Sequence, residues 1–377
     1  MRALLNAMGV TLWGMIAIML ATTVVMVGYR SALKAGISSA TELSPRVSTP
    51  TDTLPPASPA IEGGAAVTPH RDGMPGSSNT RDRSHRAAAN SQYAAIEQMV
   101  DAGTATTENL LIISQSYLQL RDCQNAVGWA NKGIAAARRA GQAPKENFYL
   151  FKLQCASDAR DNAAIEPVLV DLIRVNNRTS YWNTLLRIER QDERDDHNTL
   201  MIYRIMYNTQ SMKEDSDVIE MAQLLGDAAL PGEAAAVLGK AMSTGAIKDE
   251  HKERTNRLLA SLQGRADADE QGLARLEAEA ARNPAGDPSV RLGEVYYGFG
   301  DYQKTVEAIA QGFQKDQIRH LDEAYVYLGL AQERLGNFTA AKQAFAGLRL
   351  VSNLSPRMLR LWDLYAYGIG GPLTAAR

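Results

Sequence analysis

Two cysteines and five histidines are the side chains of this 377-residue chain best suited to metal binding or nucleophilic chemistry. Two cysteines exclude a disulfide-dense scaffold and a four-cysteine zinc site. His70 and His85 fall in a stretch rich in Pro, Ser and Thr. His197, His251 and His320 lie far apart, each among charged neighbours, and read as solvated surface. No phosphate-cradling glycine loop, Walker lysine, nucleophile elbow or metalloprotease helix occurs. Acidic residues are plentiful, but no pair stands out as acid and base. The expectation is a protein that is not an enzyme, with no catalytic residue, cofactor, metal or small-molecule substrate.

Forty Lys and Arg against 42 Asp and Glu leave a net charge of -2, so no basic field exists to hold nucleic acid. Aromatics at 6% with 45% hydrophobics suit a core of Ala and Leu, the composition of closely packed helices. An all-α chain is expected.

The chain divides into unlike parts. After a short tail over 1–9, Ala3–Tyr29 holds 27 residues without a charged side chain. Its apolar centre, 10–29, matches the ~30 Å hydrocarbon thickness of a bilayer and exceeds what a cleavable signal needs, so it reads as a retained transmembrane anchor. Flanking charges tie, with Arg2 and the α-amino group against Arg30 and Lys34. Residues 30–90 read as a disordered linker: Ser44 to Thr80 holds 7 Pro, 5 Ser, 5 Thr and 4 Gly, and no Phe, Tyr or Trp. Such tethers follow bacterial inner-membrane anchors, which orients the remainder toward the periplasm.

Residues 91–354 carry a repeat. Leu292-Gly293-Glu294-Val295-Tyr296, followed by Gly300-Asp301-Tyr302 and Ile309, recurs 36 residues later as Leu328-Gly329-Leu330-Ala331-Gln332, then Gly336-Asn337-Phe338, Ala341 and Phe345. This resembles the tetratricopeptide repeat, a pair of antiparallel helices with small residues where they cross. The crossing position falls at Ser114, Leu153, Leu186, Ala222, Ala260, Gly293 and Gly329, giving seven hairpins. The turns between paired helices fall at Asp122, Asp161, Arg194, Leu230, Ala268, Asp301 and Asn337, of which Arg194, Leu230 and Ala268 depart from the Asp or Asn a turn favours. Ser355-Pro356 opens a capping helix over 355–371 with Met358, Leu361, Trp362 and Tyr365 on one face, before a disordered tail over 372–377.

The resemblance implies an α-solenoid whose first helices line a concave groove for a protein or peptide partner. The register assigns to that groove Asn183, Arg187 and Arg190, then Arg254 and Arg257, then Glu294 and Tyr297, and last Glu323 and Glu333. The same register puts Cys123 at the start of one helix and Cys155 in the helix beside it. They are either two small buried hydrophobes or a disulfide. A narrower block, from Tyr181-Trp182 through Ile202–Tyr207 and Met221–Leu224 to Pro231–Ala235, is similar to exported repeat proteins described as components of TonB-dependent transport. The function implied is a membrane-anchored periplasmic scaffold that assembles an envelope complex, or an accessory of TonB-linked uptake.

Overall fold

The computed structural model describes residues 104–373 other than 192 and 353, with a few positions between 94 and 102. The expected N-terminal tail, the anchor, the whole 30–90 linker and the last residues of the C-terminal tail lie outside the described residues. No helix among the described residues is long and apolar enough to cross a membrane.

The described chain is all-α, with no β-strand among its described residues. In order come α1 (Thr107–Gln119), α2 (Cys123–Arg139), α3 (Glu146–Asp158), α4 (Asn162–Val175), α5 (Thr179–Gln191), α6 (Asp196–Asn208), α7 (Asp215–Asp227) and α8 (Pro231–Ser243). Then follow α9 (Asp249–Gln271), α10 (Leu273–Arg282), α11 (Asp287–Gly298), α12 (Tyr302–Lys315), α13 (Leu321–Arg334), α14 (Phe338–Ala346), a 3-10 turn at Gly347–Leu350, and α15 (Pro356–Gly368).

Five pairs are TPR-like hairpins: α1 with α2, α3 with α4, α7 with α8, α11 with α12 and α13 with α14. All five turn the same way. One residue takes a left-handed conformation, Arg121, Arg160, Ala229, Gly300 or Gly336, and the next opens the second helix. In three of them that next residue is Asp122, Asp161 or Asp301, whose carboxylate accepts from the N–H of Asn125 (3.1 Å), Ala164 (3.1 Å) or Lys304 (3.2 Å). Each bond satisfies a donor that the first helical turn leaves unpaired. Close approach fixes the helix crossings. A Cβ added at Gly329 would stand 2.5 Å from the Phe345 ring, and one at Gly293 2.6 Å from Ile309.

The expected fifth hairpin is absent. Ala268, read as its turn, lies inside the 23-residue α9, and Ala260, read as its crossing, is exposed. Only Thr255, Leu262 and Ala266 of α9 are buried, too few to cover a second helix, and α9 meets α10 end to end at Gly272. The α5 and α6 pair is also loose. Both α9 and α11 therefore pack on α8, and a Cβ at Gly298 would stand 2.7 Å from the Glu233 backbone nitrogen.

With that crossover the later repeats turn back onto the earlier ones. α15 packs on α14 and also on α4 and α6. Arg357 binds Glu189, Arg360 binds Glu166 at 3.3 Å, and Asn177 Nδ2 donates to Gly368 O at 3.3 Å. Consequently α6 has no wet face over most of its length: every residue from Thr199 to Met206 is buried. A helix in an open array of hairpins keeps a solvated stripe. One apolar core runs from Leu110 to Ile369.

Identical substitutions separate these environments. Gly329→Ala is expected to destabilise the fold by about 1 to 3 kcal/mol through overpacking against Phe345. Gly264→Ala, with nothing within 4 Å of the new methyl, should stabilise by about 0.5 to 1 kcal/mol. Thermal unfolding of the two variants should move in opposite directions.

Candidate functional site

The residues expected along the groove part company. Asn183 is buried and donates from Nδ2 to Ser211 O at 2.6 Å. Arg190 donates to the Tyr203 hydroxyl at 2.6 Å and to Glu220 at 3.1 Å. Glu294, Tyr297, Glu323 and Glu333 sit inside, where α11 and α13 face α6 and α8 or α15. Arg187, Arg254 and Arg257 remain exposed, Arg257 paired with Glu253 one helical turn away. The fold does not present all of them on one open surface: the neighbouring α6–α7 segment takes Asn183 and Arg190, and the return of the later repeats takes Glu323 and Glu333. Cys123 and Cys155 are bonded to each other, with Cα atoms 5.5 Å apart.

The interior holds a polar seam. Arg204 on α6, 1% exposed, donates to Glu233 Oε2 on α8 at 3.2 Å and to the Tyr327 hydroxyl on α13. Tyr327 in turn donates to Glu233 at 2.6 Å, and its ring lies 4.5 Å from the guanidinium carbon. Three helices thus meet in one closed triangle. Along the same line, His197 contacts Asp322 (2.7 Å) and Glu323 (3.3 Å), and Arg334 donates to Asn208 Oδ1 at 2.8 Å. The order His197, Arg204, Asn208 matches Asp322, Tyr327, Arg334, so α6 and α13 run parallel. Glu294 joins the cluster with Arg291 at 3.1 Å.

Scattered histidines gave no hint of His197, whose partner lies 125 residues on. Arg204 did leave a trace. It interrupts the apolar run Ile202-Tyr203-Arg204-Ile205-Met206, and a charge within such a run has to find a buried partner.

Burial, with the nearby charge of Glu323, pushes Glu294 up to about 7, while Arg291 opposes the shift. Hydrogen bonds to Asp322 and Glu323 raise His197 to about 10 against its burial. Burial pulls Asp322 and Glu323 upward, but His197, together with backbone hydrogen bonds at Asp322 and the Arg204 charge near Glu323, holds both below the usual carboxylate range.

No family model matches the chain. No curated protein matches it either. Among solved structures, a tetratricopeptide repeat protein from Parabacteroides merdae is similar: it shares 14% identity over 69% of this chain and 98% of its own length, with a TM-score of 0.26. The TPR-like character of the described residues lies in their hairpins and left-handed turns. The resemblance to TonB-linked proteins finds no support in these comparisons.

Glu233→Gln removes the carboxylate that is the only one bonded to Arg204 among the described residues, and should cost about 3 to 5 kcal/mol in chemical unfolding. Replacing both at once, Arg204→Met with Glu233→Leu, should cost less than the single change, because no buried charge is left alone.

The seam also sets a pH dependence. Glu294 titrates in the fold above its ordinary 4.5, so its contribution is full below about pH 4.5 and lost as pH rises to about 7. The His197 contribution is full below its ordinary 6.5 and lost as pH rises through about 10. Those of Asp322 and Glu323 run oppositely, full above their ordinary values of 3.8 and 4.5 and lost as pH falls below them. Melting temperature should therefore peak in mild acid. Glu294→Gln should flatten the decline between pH 4.5 and 7, which is worth at most about 3 kcal/mol.

Proposed function

We propose that the protein is a non-enzymatic scaffold that binds another protein, anchored in the inner membrane with its helical array in the periplasm. One observation carries the binding role. The residue that caps the C-terminus of the first helix is a large apolar side chain left in solvent at equivalent places in two successive hairpins: Phe299 is 37% exposed and Leu335 38%. Phe338, beside Leu335, is 42% exposed. Apolar groups repeated at equivalent places after the hairpins have satisfied each other support contact with a macromolecule there.

The uncharged run Ala3–Tyr29 and the Pro- and Ser-rich segment behind it support anchoring through a tether. The Cys123–Cys155 disulfide supports an oxidising compartment. A tethered array would meet membrane-bound partners at raised local concentration.

Pull-downs from envelope extracts test the binding edge. Phe299→Asp with Leu335→Asp is expected to lose the recovered partner at an unchanged melting temperature. Reversing Arg187, Arg254 and Arg257 tests the exposed remainder of the expected groove. Recovery of the same proteins by both variants and the unaltered chain would contradict the reading. A reporter active only outside the cytoplasm, fused after Arg377, should be active, and silence would reverse the topology.

A further inference from the structure

We infer that the cavity where α5, α6, α13 and α15 converge is a binding site for a primary ammonium group. It is a solvent-open pocket of about 80 Å³ lined by Trp182, Asn208, Glu333, Tyr365 and the Gly368–Gly371 backbone, among others. Three helices end there: α6 at Asn208, α13 at Arg334 and α15 at Gly368. Helix C-termini present unpaired carbonyls and the negative end of the macrodipole, and three of them face a single N-terminus, that of α5. The fixed dipoles favour a cation.

Glu333 supplies the charge. Elsewhere in the interior the carboxylates have cations: Glu233 has Arg204, Glu294 has Arg291, Asp322 and Glu323 share His197, and Glu189 has Arg357. Glu333 forms no ion pair among the described residues and accepts the Tyr365 hydroxyl at 2.5 Å. Its chain neighbour Arg334 is turned to Asn208 and Tyr297. Burial holds the Glu333 carboxyl above the usual range, and the Tyr365 hydroxyl and Arg334 only partly offset this.

The walls suit the same guest. The rings of Trp182 and Tyr365 meet as a corner, centroids 6.4 Å apart at 71°. Aromatic rings attract ammonium groups through their quadrupoles, and both rings line the pocket together with the Glu333 carboxylate. Asn177 stiffens the corner, its Oδ1 accepting from Trp182 Nε1 at 2.7 Å and its Nδ2 donating to Gly368 O. A lysine side chain, a peptide N-terminus or a free small amine all present this chemistry. The site stands apart from the scaffold reading, since a protein with no partner would still bind an amine here.

Calorimetric titration of the full-length protein in detergent micelles tests it, with n-butylammonium and 1-butanol as isosteric probes. Butylammonium should bind with a Kd of about 1 mM or tighter and at least tenfold more tightly than butanol. Glu333→Gln, which can still accept the Tyr365 hydroxyl, should weaken butylammonium by about tenfold or more. Tyr365→Phe keeps the ring and should change binding by no more than about threefold. If Glu333→Gln fails to fold, the two probes on the unaltered protein still decide. Equal binding of both probes, or unchanged binding by a folded Glu333→Gln, overturns the proposal. Short peptides carrying a free or acetylated lysine, and a free or acetylated N-terminus, then assign the source: loss on acetylating one of them identifies it, and peptides that never exceed butylammonium point to a small free amine.

Discussion

A guanidinium taken out of water has to be met by a carboxylate and by further donors or acceptors, or the fold that buries it is lost. Arg204 imposes that demand on the described helices. Its partners, Glu233 and Tyr327, stand on α8 and α13, one in the same half of the array and one in the returning half. The triangle forms only if α13 comes back to lie parallel to α6. Apolar contact alone would tolerate a slide of one helix along another. A bidentate cation with a tyrosine stacked beside it accepts one register, and the flanking pairs at His197 and Asn208 repeat that constraint at both ends.

Local signals were legible where geometry is local. The Asp and Asn turn residues are the ones that follow a left-handed residue and open a second helix, and the Gly293 and Gly329 crossings sit against Ile309 and Phe345. Ala268 broke the turn pattern in the sequence, and that break is where the hairpin fails: α9 runs straight through it. Leu230 broke the pattern as well and still turns, because Ala229 takes the left-handed conformation and Pro231 starts α8. Repeat spacing of 33 to 39 residues therefore looked continuous across a segment whose charged helix has no second face to bury.

What the sequence hid was the return of the chain. An open solenoid follows from repeats that touch only their neighbours. Here Asn177 meets Gly368 and His197 meets Asp322, contacts that no nearest-neighbour pattern encodes. Glu323, assigned to a groove, became an interior partner of His197 for the same reason, while Arg187, Arg254 and Arg257 kept their solvent. Closure changes what such a protein can offer a partner: less an inner trough, more the outer edges of the hairpins and the small cavity at three helix ends.

Cross-linking across the closure is the most direct measurement. Glu166 and Arg360 form an exposed pair on α4 and α15 whose loss should disturb stability little, and the native cysteines are already bonded. Glu166→Cys with Arg360→Cys, treated with a short bismaleimide at low protein concentration, should join within one chain rapidly and nearly completely. In an open array the same sites would stand about 50 Å apart, at roughly 10 Å per repeat. Two singly modified cysteines with no internal link would contradict the account.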